Sequence, residues 1–451
     1  MKKRISLSTT QIIMLSFLLA ILIGSFLLVL PFASADGTSV SYMDALFTAT
    51  TSVCVTGLVT VTTATTWSFF GQFVILFLIQ IGGLGIITIL SGFMISLHKR
   101  IGLGDRMLLQ DAFNLSSLSG IVQFIKKVLI GTFIVEGVGA LLYMTVFIPQ
   151  YGVKGIWTSI FNSVSAFCNA GMDVIGEDSL CGYVHHPMIN FVTCTLIVLG
   201  GIGYIVWWDV LRVIKNFRTQ KLKCFSNLTL HSKIALSATG ILLLSGTVLF
   251  FIFEYNNPQT IGDYSLPEKL QASMFQSVTT RTAGFATIPQ QNLTDASAIV
   301  SLLFMFIGGS PVGTAGGAKT VTIVVLLVST FSVIRNSEET VLFRRRISKQ
   351  AVGKAVAVVS MSFLIAFVST VLLAVESGAP ALDVMYETFS ATATVGLSRN
   401  LTGTLNFLGK LIIIVTMYLG RVGPISLVIA FNTKKKKHNI IKNPIEEISV
   451  G

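Results

Sequence analysis

The sequence predicts an all-α integral membrane protein, built from four parallel span–re-entrant helix–span repeats around a pseudo-fourfold pore. Three observations predict it. Apolar runs near or above ~18 residues recur along the chain, the length a membrane-spanning helix needs. Of 451 residues, 52% are hydrophobic and 12% charged, against roughly 25% charged in a soluble domain. Finally, one short glycine turn occurs four times: Cys54-Val55-Thr56-Gly57-Leu58, Cys168-Asn169-Ala170-Gly171-Met172, Arg281-Thr282-Ala283-Gly284-Phe285 and Ala393-Thr394-Val395-Gly396-Leu397. Their glycines fall 114, 113 and 112 residues apart.

Repeat one (residues 1–96) pairs apolar runs at about 10–30 and 70–96 around a short segment at 42–58. Its start imitates a secretory leader, with Lys2-Lys3-Arg4 before an apolar run and Ala33-Ser34-Ala35 after it. The run is longer than the roughly 7–15 residue core of a leader, so it is expected to stay as the first span. Repeat two (97–220) pairs 121–148 with 188–214 around 155–172. Repeat three (221–335) pairs 232–254 with 296–333 around 267–285, and repeat four (336–433) pairs 351–375 with 405–431 around 381–397. Residues 434–451 form a basic tail. Each enclosed segment has only ~10–14 residues before its glycine, too few to span at 1.5 Å per residue. Eight transmembrane helices and four re-entrant pore helices follow. Two crossings per repeat give all four repeats one orientation, unlike inverted-repeat transporters.

Lysine and arginine set the sidedness. Of 32, 25 fall at the ends and inter-repeat loops, while only Lys154, Lys269, Arg281, Arg399 and Lys410 fall on the opposite side. Both termini are therefore expected in the cytoplasm, with the glycine turns opening outward. The net charge of +12 reflects topology and anionic headgroups, not nucleic acid. Arg344-Arg345-Arg346 and Lys434 to Lys437 read as a solvated flank or as a dock for an acidic cytosolic partner. Acidic residues such as Asp44, Asp173, Glu268, Asp383 and Glu387 lean outward, either concentrating cations at a mouth or merely left outside by the positive-inside topology.

No catalytic signature appears, so the chain reads as not an enzyme. The five cysteines have neither zinc nor disulfide spacing and read as packing residues, with Cys54 and Cys168 set apart because they adjoin the repeated glycines. His185-His186 reads as loop surface without a matched carboxylate. The repeated chemical feature is exposed backbone. Non-helical backbone at membrane depth is tolerated where it is buried in protein or lines a water-filled cavity. Four such loops on one axis present rings of carbonyls, which replace the hydration shell of an alkali cation. Val55, Thr56, Gly57, Asn169, Ala170, Gly171, Thr282, Ala283, Gly284, Thr394, Val395 and Gly396 are the expected ion-binding filter. Arg281 would oppose a cation there, and is expected to point behind its loop, toward a carboxylate or carbonyls.

Below the filter, every second span carries glycines: Gly82-Gly83-Leu84-Gly85, Gly200-Gly201-Ile202-Gly203, Gly308-Gly309-Ser310-Pro311 and Gly420-Arg421-Val422-Gly423-Pro424. The first two suit close helix packing. The third continues through Gly313, Thr314, Gly316 and Gly317 to Lys319. Its proline and five glycines should break the helix, leaving an intramembrane loop that gates the pore. Arg421, inside an apolar span, reads as an electrostatic barrier, or as a structural partner of Glu136.

On these motifs, with Ser165 to Met172, Ser277 to Phe285 and Ser390 to Ser398, the whole chain from about Ile12 resembles the Trk/Ktr/HKT potassium transporters. It is most similar to membrane subunits of the KtrB/KtrD type. The resemblance implies that Gly57, Gly171, Gly284 and Gly396 are filter glycines, and that glycine rather than serine at Gly57 selects potassium. It also implies a homodimer in the cell membrane, resting on a separate cytosolic nucleotide-binding ring of KtrA/KtrC type. The expected function is a potassium-ion translocating subunit of a bacterial uptake system. Sodium is a candidate coupling or activating ion; channel-like flux and sodium-coupled symport both stay open. An ammonium or mixed monovalent cation pathway is the alternative, and a non-transporting membrane scaffold the alternative of another class.

Overall fold

The computed structural model describes residues 8–97, 102–112, 119–215, 225–337 and 339–423. The first unit comprises α1 (Thr9–Val29), α2 (Tyr42–Cys54), a short α3 (Thr63–Thr66), and the successive helices α4 (Phe69–Leu84) and α5 (Ile86–Ser96). After α6 (Leu103–Ala112), the second unit contains α7 (Ile121–Tyr151), α8 (Lys154–Cys168), α9 (Pro187–Gly201) and α10 (Tyr204–Lys215). The third contains α11 (Leu230–Glu254), α12 (Leu266–Thr279), α13 (Asp295–Phe306) and α14 (Thr320–Ile334). A two-stranded antiparallel hairpin, β1 (Val341–Leu342) and β2 (Arg345–Arg346), leads to the fourth unit. That unit contains α15 (Lys349–Ser377), α16 (Ala381–Ala393) and α17 (Phe407–Val422).

Local chemistry starts these helices where the apolar runs begin. Ser8 and Ser265 close capping boxes with Gln11 and Glu268. Ser68, Thr229, Thr294, Ser348 and Asn406 each accept an amide hydrogen at an N-cap, satisfying donors a helix end leaves open. Among the described residues, α1, α7, α11 and α15 are single helices long and apolar enough to cross a membrane. Each leaves large apolar side chains uncovered, among them Phe26, Phe133, Leu244 and Phe363. That suits a lipid-facing surface.

The expected second spans are not straight. The α4–α5 pair bends by 98° and the α9–α10 pair by 100°. The hinges are Gly85 (φ 84°) and Gly203 (φ 91°), angles open to glycine without a Cβ penalty. The apolar runs at 70–96 and 188–214 hid both corners. Close packing also operates just before each corner. A Cβ on Gly82 or Gly200 would strike the carbonyl oxygen of Val53 or Phe167. Units three and four also break near their corresponding glycines: α13 stops at Phe306, just before Gly308, and α17 ends on Gly423 (φ 88°). The remainder of the expected 405–431 span, and Lys434 to Lys437, lie outside the described residues.

The short helices pack in a cycle. Each sits beside the second span of the preceding unit: α8 on α4, α12 on α9, α16 on α13 and α2 on α17. An ion pair from Lys410 Nζ on α17 to Asp44 Oδ1 on α2, at 2.6 Å, joins the fourth unit back to the first.

Candidate ion pathway

The four glycine turns converge. In each, the residue two positions before the glycine is left-handed: Val55 (φ 55°), Asn169 (φ 60°), Thr282 (φ 66°) and Thr394 (φ 51°). The glycines follow at φ 98°, 66°, 85° and 98°. β-Branched residues rarely adopt positive φ, so Val55, Thr282 and Thr394 mark a backbone that its surroundings dictate. A Cβ added to Gly57, Gly171, Gly284 or Gly396 would lie under 3.0 Å from the carbonyl oxygen of Ala170, Ala283, Val395 or Thr56, respectively. The contacts run from unit one to two, two to three, three to four and four back to one. The loops therefore form a closed ring that leaves no room for a side chain at any of the four glycines.

Hydrogen bonds from each short helix hold its loop. The amides of Thr56, Ala170 and Val395 donate to the carbonyls of Thr51, Ser165 and Ser390, each at 2.8 Å. The amides of Gly57 and Gly396 donate to the hydroxyls of Thr51 and Ser390. The third loop differs: Ala283 N donates to Thr279 O at 3.0 Å, and the Thr279 hydroxyl donates to Phe285 O. Of the twelve residues expected at the filter, eleven are buried in or beside this ring and Gly396 is half-buried. Thr56 Oγ1, Asn169 Nδ2 and Thr394 Oγ1 are buried there without a protein partner.

Arg281 points behind its loop as expected, but to a hydroxyl: its Nη2 lies 3.5 Å from Thr239 Oγ1 on α11. No carboxylate pairs with it among the described residues. His185 corrects the reading of an unmatched loop histidine, because its Nδ1 sits 2.8 Å from Glu268 Oε1. Two of the acids expected to lie free at an outer mouth are paired instead: Asp44 with Lys410, and Asp383 with Arg399 at 2.6 Å.

Below the ring, Gly308, Gly309, Gly313, Thr314, Gly316, Gly317 and Lys319 all fall in the non-helical stretch between α13 and α14. The stretch folds back on itself: Gly308 N donates to Ala318 O, and Ala318 N to Phe306 O. It touches three of the four loops. The Thr314 hydroxyl bonds Phe167 O (3.0 Å) and Asn169 Oδ1 (2.9 Å). Gly316 N donates to Thr282 Oγ1 at 3.2 Å, and a Cβ on Gly316 would collide with Thr394. Tyr204 N, just past the Gly203 corner, donates to Val312 O. Lys319 Nζ turns inward onto Ala315 O at 2.5 Å.

Arg421 reaches this stretch from α17. Its Nη1 donates to Thr314 O at 2.7 Å and its Nη2 to Gly82 O at 2.5 Å. The expected alternative partner, Glu136, is engaged elsewhere: Gln80 Nε2 lies 3.0 and 3.1 Å from its two oxygens. The sequence could not separate these partners, because backbone carbonyls leave no signature in it.

The model of a family described as cation transport protein, TrkH, matches residues 3–442. The chain belongs to the TrkH family. It is 39% identical to the Ktr system potassium uptake protein B of Bacillus subtilis, over 100% of this chain and 98% of the relative. It is also 39% identical to the potassium/sodium uptake protein NtpJ of Enterococcus hirae, over 100% and 99%. The crystal structure of the potassium transporter TrkH from Vibrio parahaemolyticus matches 96% of this chain and 86% of its own, with a TM-score of 0.75 at 18% identity. The shared fold thus outlasts most of the side chains. This TrkH-family chain is a multi-pass membrane protein of a transporter family.

Proposed function

We propose that this chain is the potassium-translocating subunit of an uptake system. The closed ring of four glycine turns carries the reading. A ring of backbone carbonyls replaces the hydration shell of an alkali cation, and four such loops on one axis can supply it. The partnerless hydroxyls of Thr56 and Thr394 fit positions that meet water or an ion, and the partnerless Asn169 amide donor fits one that meets water. The four units then act as parallel repeats, with eight crossings around one pore and both termini in the cytoplasm.

The stretch at 307–319 is the gate. It lies against three filter loops and breaks a helix where a continuous one would leave the path open. Arg421 holds the gate shut through Thr314 and adds a positive barrier below the filter. The Ktr relatives are named as parts of a system, which supports a multi-component assembly; its proposed form is a homodimer served by a separate cytosolic nucleotide-binding ring. The hairpin carrying Arg344, Arg345 and Arg346 is a candidate contact for that ring. Potassium is the transported ion, and sodium the candidate coupling or activating ion.

Growth rescue of a potassium-uptake-deficient cell at micromolar-to-millimolar potassium tests the reading. Wild type should rescue, with uptake preferring potassium over sodium and ammonium. Equal uptake of the three ions would favour a mixed cation pathway. A well-expressed chain that conducts none would favour a scaffold.

A further inference from the structure

A second polar feature lies outside the ion path. A crevice of ≈ 350 Å³ opens between α4, α7 and α8. Its walls include Phe73, Phe77, Phe133 and Gly137, and its floor carries Gln80 and Glu136. The three phenylalanines are 52–60% exposed, on an apolar surface that faces lipid. Glu136 is only 5% exposed. It is the sixteenth of 31 residues in α7, about 22 Å from either helix end at 1.5 Å per residue.

The Glu136 carboxyl has no cationic partner among the described residues. Its neighbours are the Gln80 amide and Cys168 Sγ, the latter 3.9 Å from Oε1. An ionisable group at mid-membrane depth is costly, and such groups mark functional sites. Here it sits beside Cys168, the first residue of the second glycine turn, but takes no part in the glycine-to-carbonyl contacts of the ring. It faces an apolar crevice that opens sideways.

We propose that this crevice binds a membrane-soluble amine: an ammonium head on an apolar tail. The carboxyl supplies the opposite charge and hydrogen-bond acceptors. The phenylalanine faces attract a cation, and the crevice walls receive the tail. A neutral amine that takes the carboxylic proton, and an ammonium that meets the carboxylate, end as the same ion pair. The site has a direct route to the ion path. Cys168, whose Sγ lies beside Glu136, immediately precedes Asn169, whose Oδ1 holds the Thr314 hydroxyl. An occupant that draws Glu136 off Gln80 therefore works behind the second filter loop.

Binding is tested without reference to transport. The full-length protein is placed in phosphatidylcholine vesicles with spin-labelled dodecylamine or spin-labelled dodecanol of the same tail. Electron paramagnetic resonance then reads the motionally restricted fraction. Wild type should prefer the amine by about tenfold, the scale of one charge-assisted contact. Glu136→Gln should bring the two probes to parity. Gly137→Leu tests the same site independently of how Glu136→Gln folds. A Cβ at Gly137 meets nothing within 4 Å, so leucine fills the crevice. It should abolish the restricted amine while wild-type potassium flux persists.

Spin-labelled phosphatidylethanolamine, whose amine stays at headgroup level, should show no preference. Parity of amine and alcohol in wild type would overturn the proposal, as would amine preference surviving both variants. Equal preference for phosphatidylethanolamine would overturn the mid-membrane placement. A change of oligomeric mass in Gly137→Leu with amine preference intact would assign the crevice to a second copy, and would also overturn it.

Discussion

The guanidinium of Arg421 donates to the carbonyl of Thr314 at 2.7 Å, across 107 residues of sequence. One side chain on α17 thereby fixes the middle of the broken helix in unit three. Its second donor group holds Gly82 of unit one at 2.5 Å. Meanwhile the Thr314 hydroxyl binds Asn169 of unit two. A single backbone residue of the proposed gate is thus tied to units two and four, and through Arg421 to unit one.

Arg421→Ala removes both bonds and the charge. Hydrogen bonds to charged groups contribute about 1.5–3 kcal/mol each, so basal potassium flux should rise about tenfold or more. Arg421→Lys keeps the charge but lacks the planar fork that bridges two carbonyls, and should give an intermediate rise. Isotope flux into proteoliposomes measures both. Unaltered flux and unaltered sodium leak in a folded Arg421→Ala chain would remove the barrier and the latch together.

Deleting residues 314–317 takes away the contacts to Asn169, Thr282 and Arg421 at once. Potassium flux should increase above that of Arg421→Ala, with selectivity over sodium retained because all twelve filter residues remain in the chain. Unchanged or lower flux in a well-folded variant would count against a gate.

These features were unequally legible in the sequence. The four turns were plain, because glycine spacing survives when the surrounding residues differ. The break in unit three was equally plain, since Pro311 and five glycines are incompatible with a continuous helix. The corners at Gly85 and Gly203 were hidden: two glycines in an unbroken apolar run also describe a close-packed straight span. The left-handed Val55 and Thr394 were hidden too, because local preference argues against them and only the closed ring imposes them. Arg421 was found as an oddity, but its partners are main-chain oxygens. His185 found a carboxylate 83 residues away, a distance at which sequence proximity carries no information.

The ion pair from Lys410 to Asp44 closes the cycle of units, with side chains 17% and 16% exposed. Removing either partner leaves a largely buried charge, which costs about 3–5 kcal/mol when burial is complete and less at this exposure. Lys410→Ala and Asp44→Ala should each lower the melting temperature of the solubilised protein. The double variant should lose less than the sum of the two, with a coupling of about 0.5–3 kcal/mol. Additive losses would show that the pair does not act across the junction.

The central claim is that the ring of glycine turns chooses the ion, and Gly57 is its most direct test. Gly57 holds φ 98°, and a Cβ there strikes Ala170 O, so serine must displace the carbonyl of the next loop. The decisive measurement is the ratio of potassium to sodium uptake in wild type and Gly57→Ser, at matched expression in a potassium-uptake-deficient cell. The account predicts that Gly57→Ser loses potassium preference by about tenfold or more, as a shift of roughly 1.4 kcal/mol between two ions requires. Normal potassium-selective rescue by Gly57→Ser would contradict it.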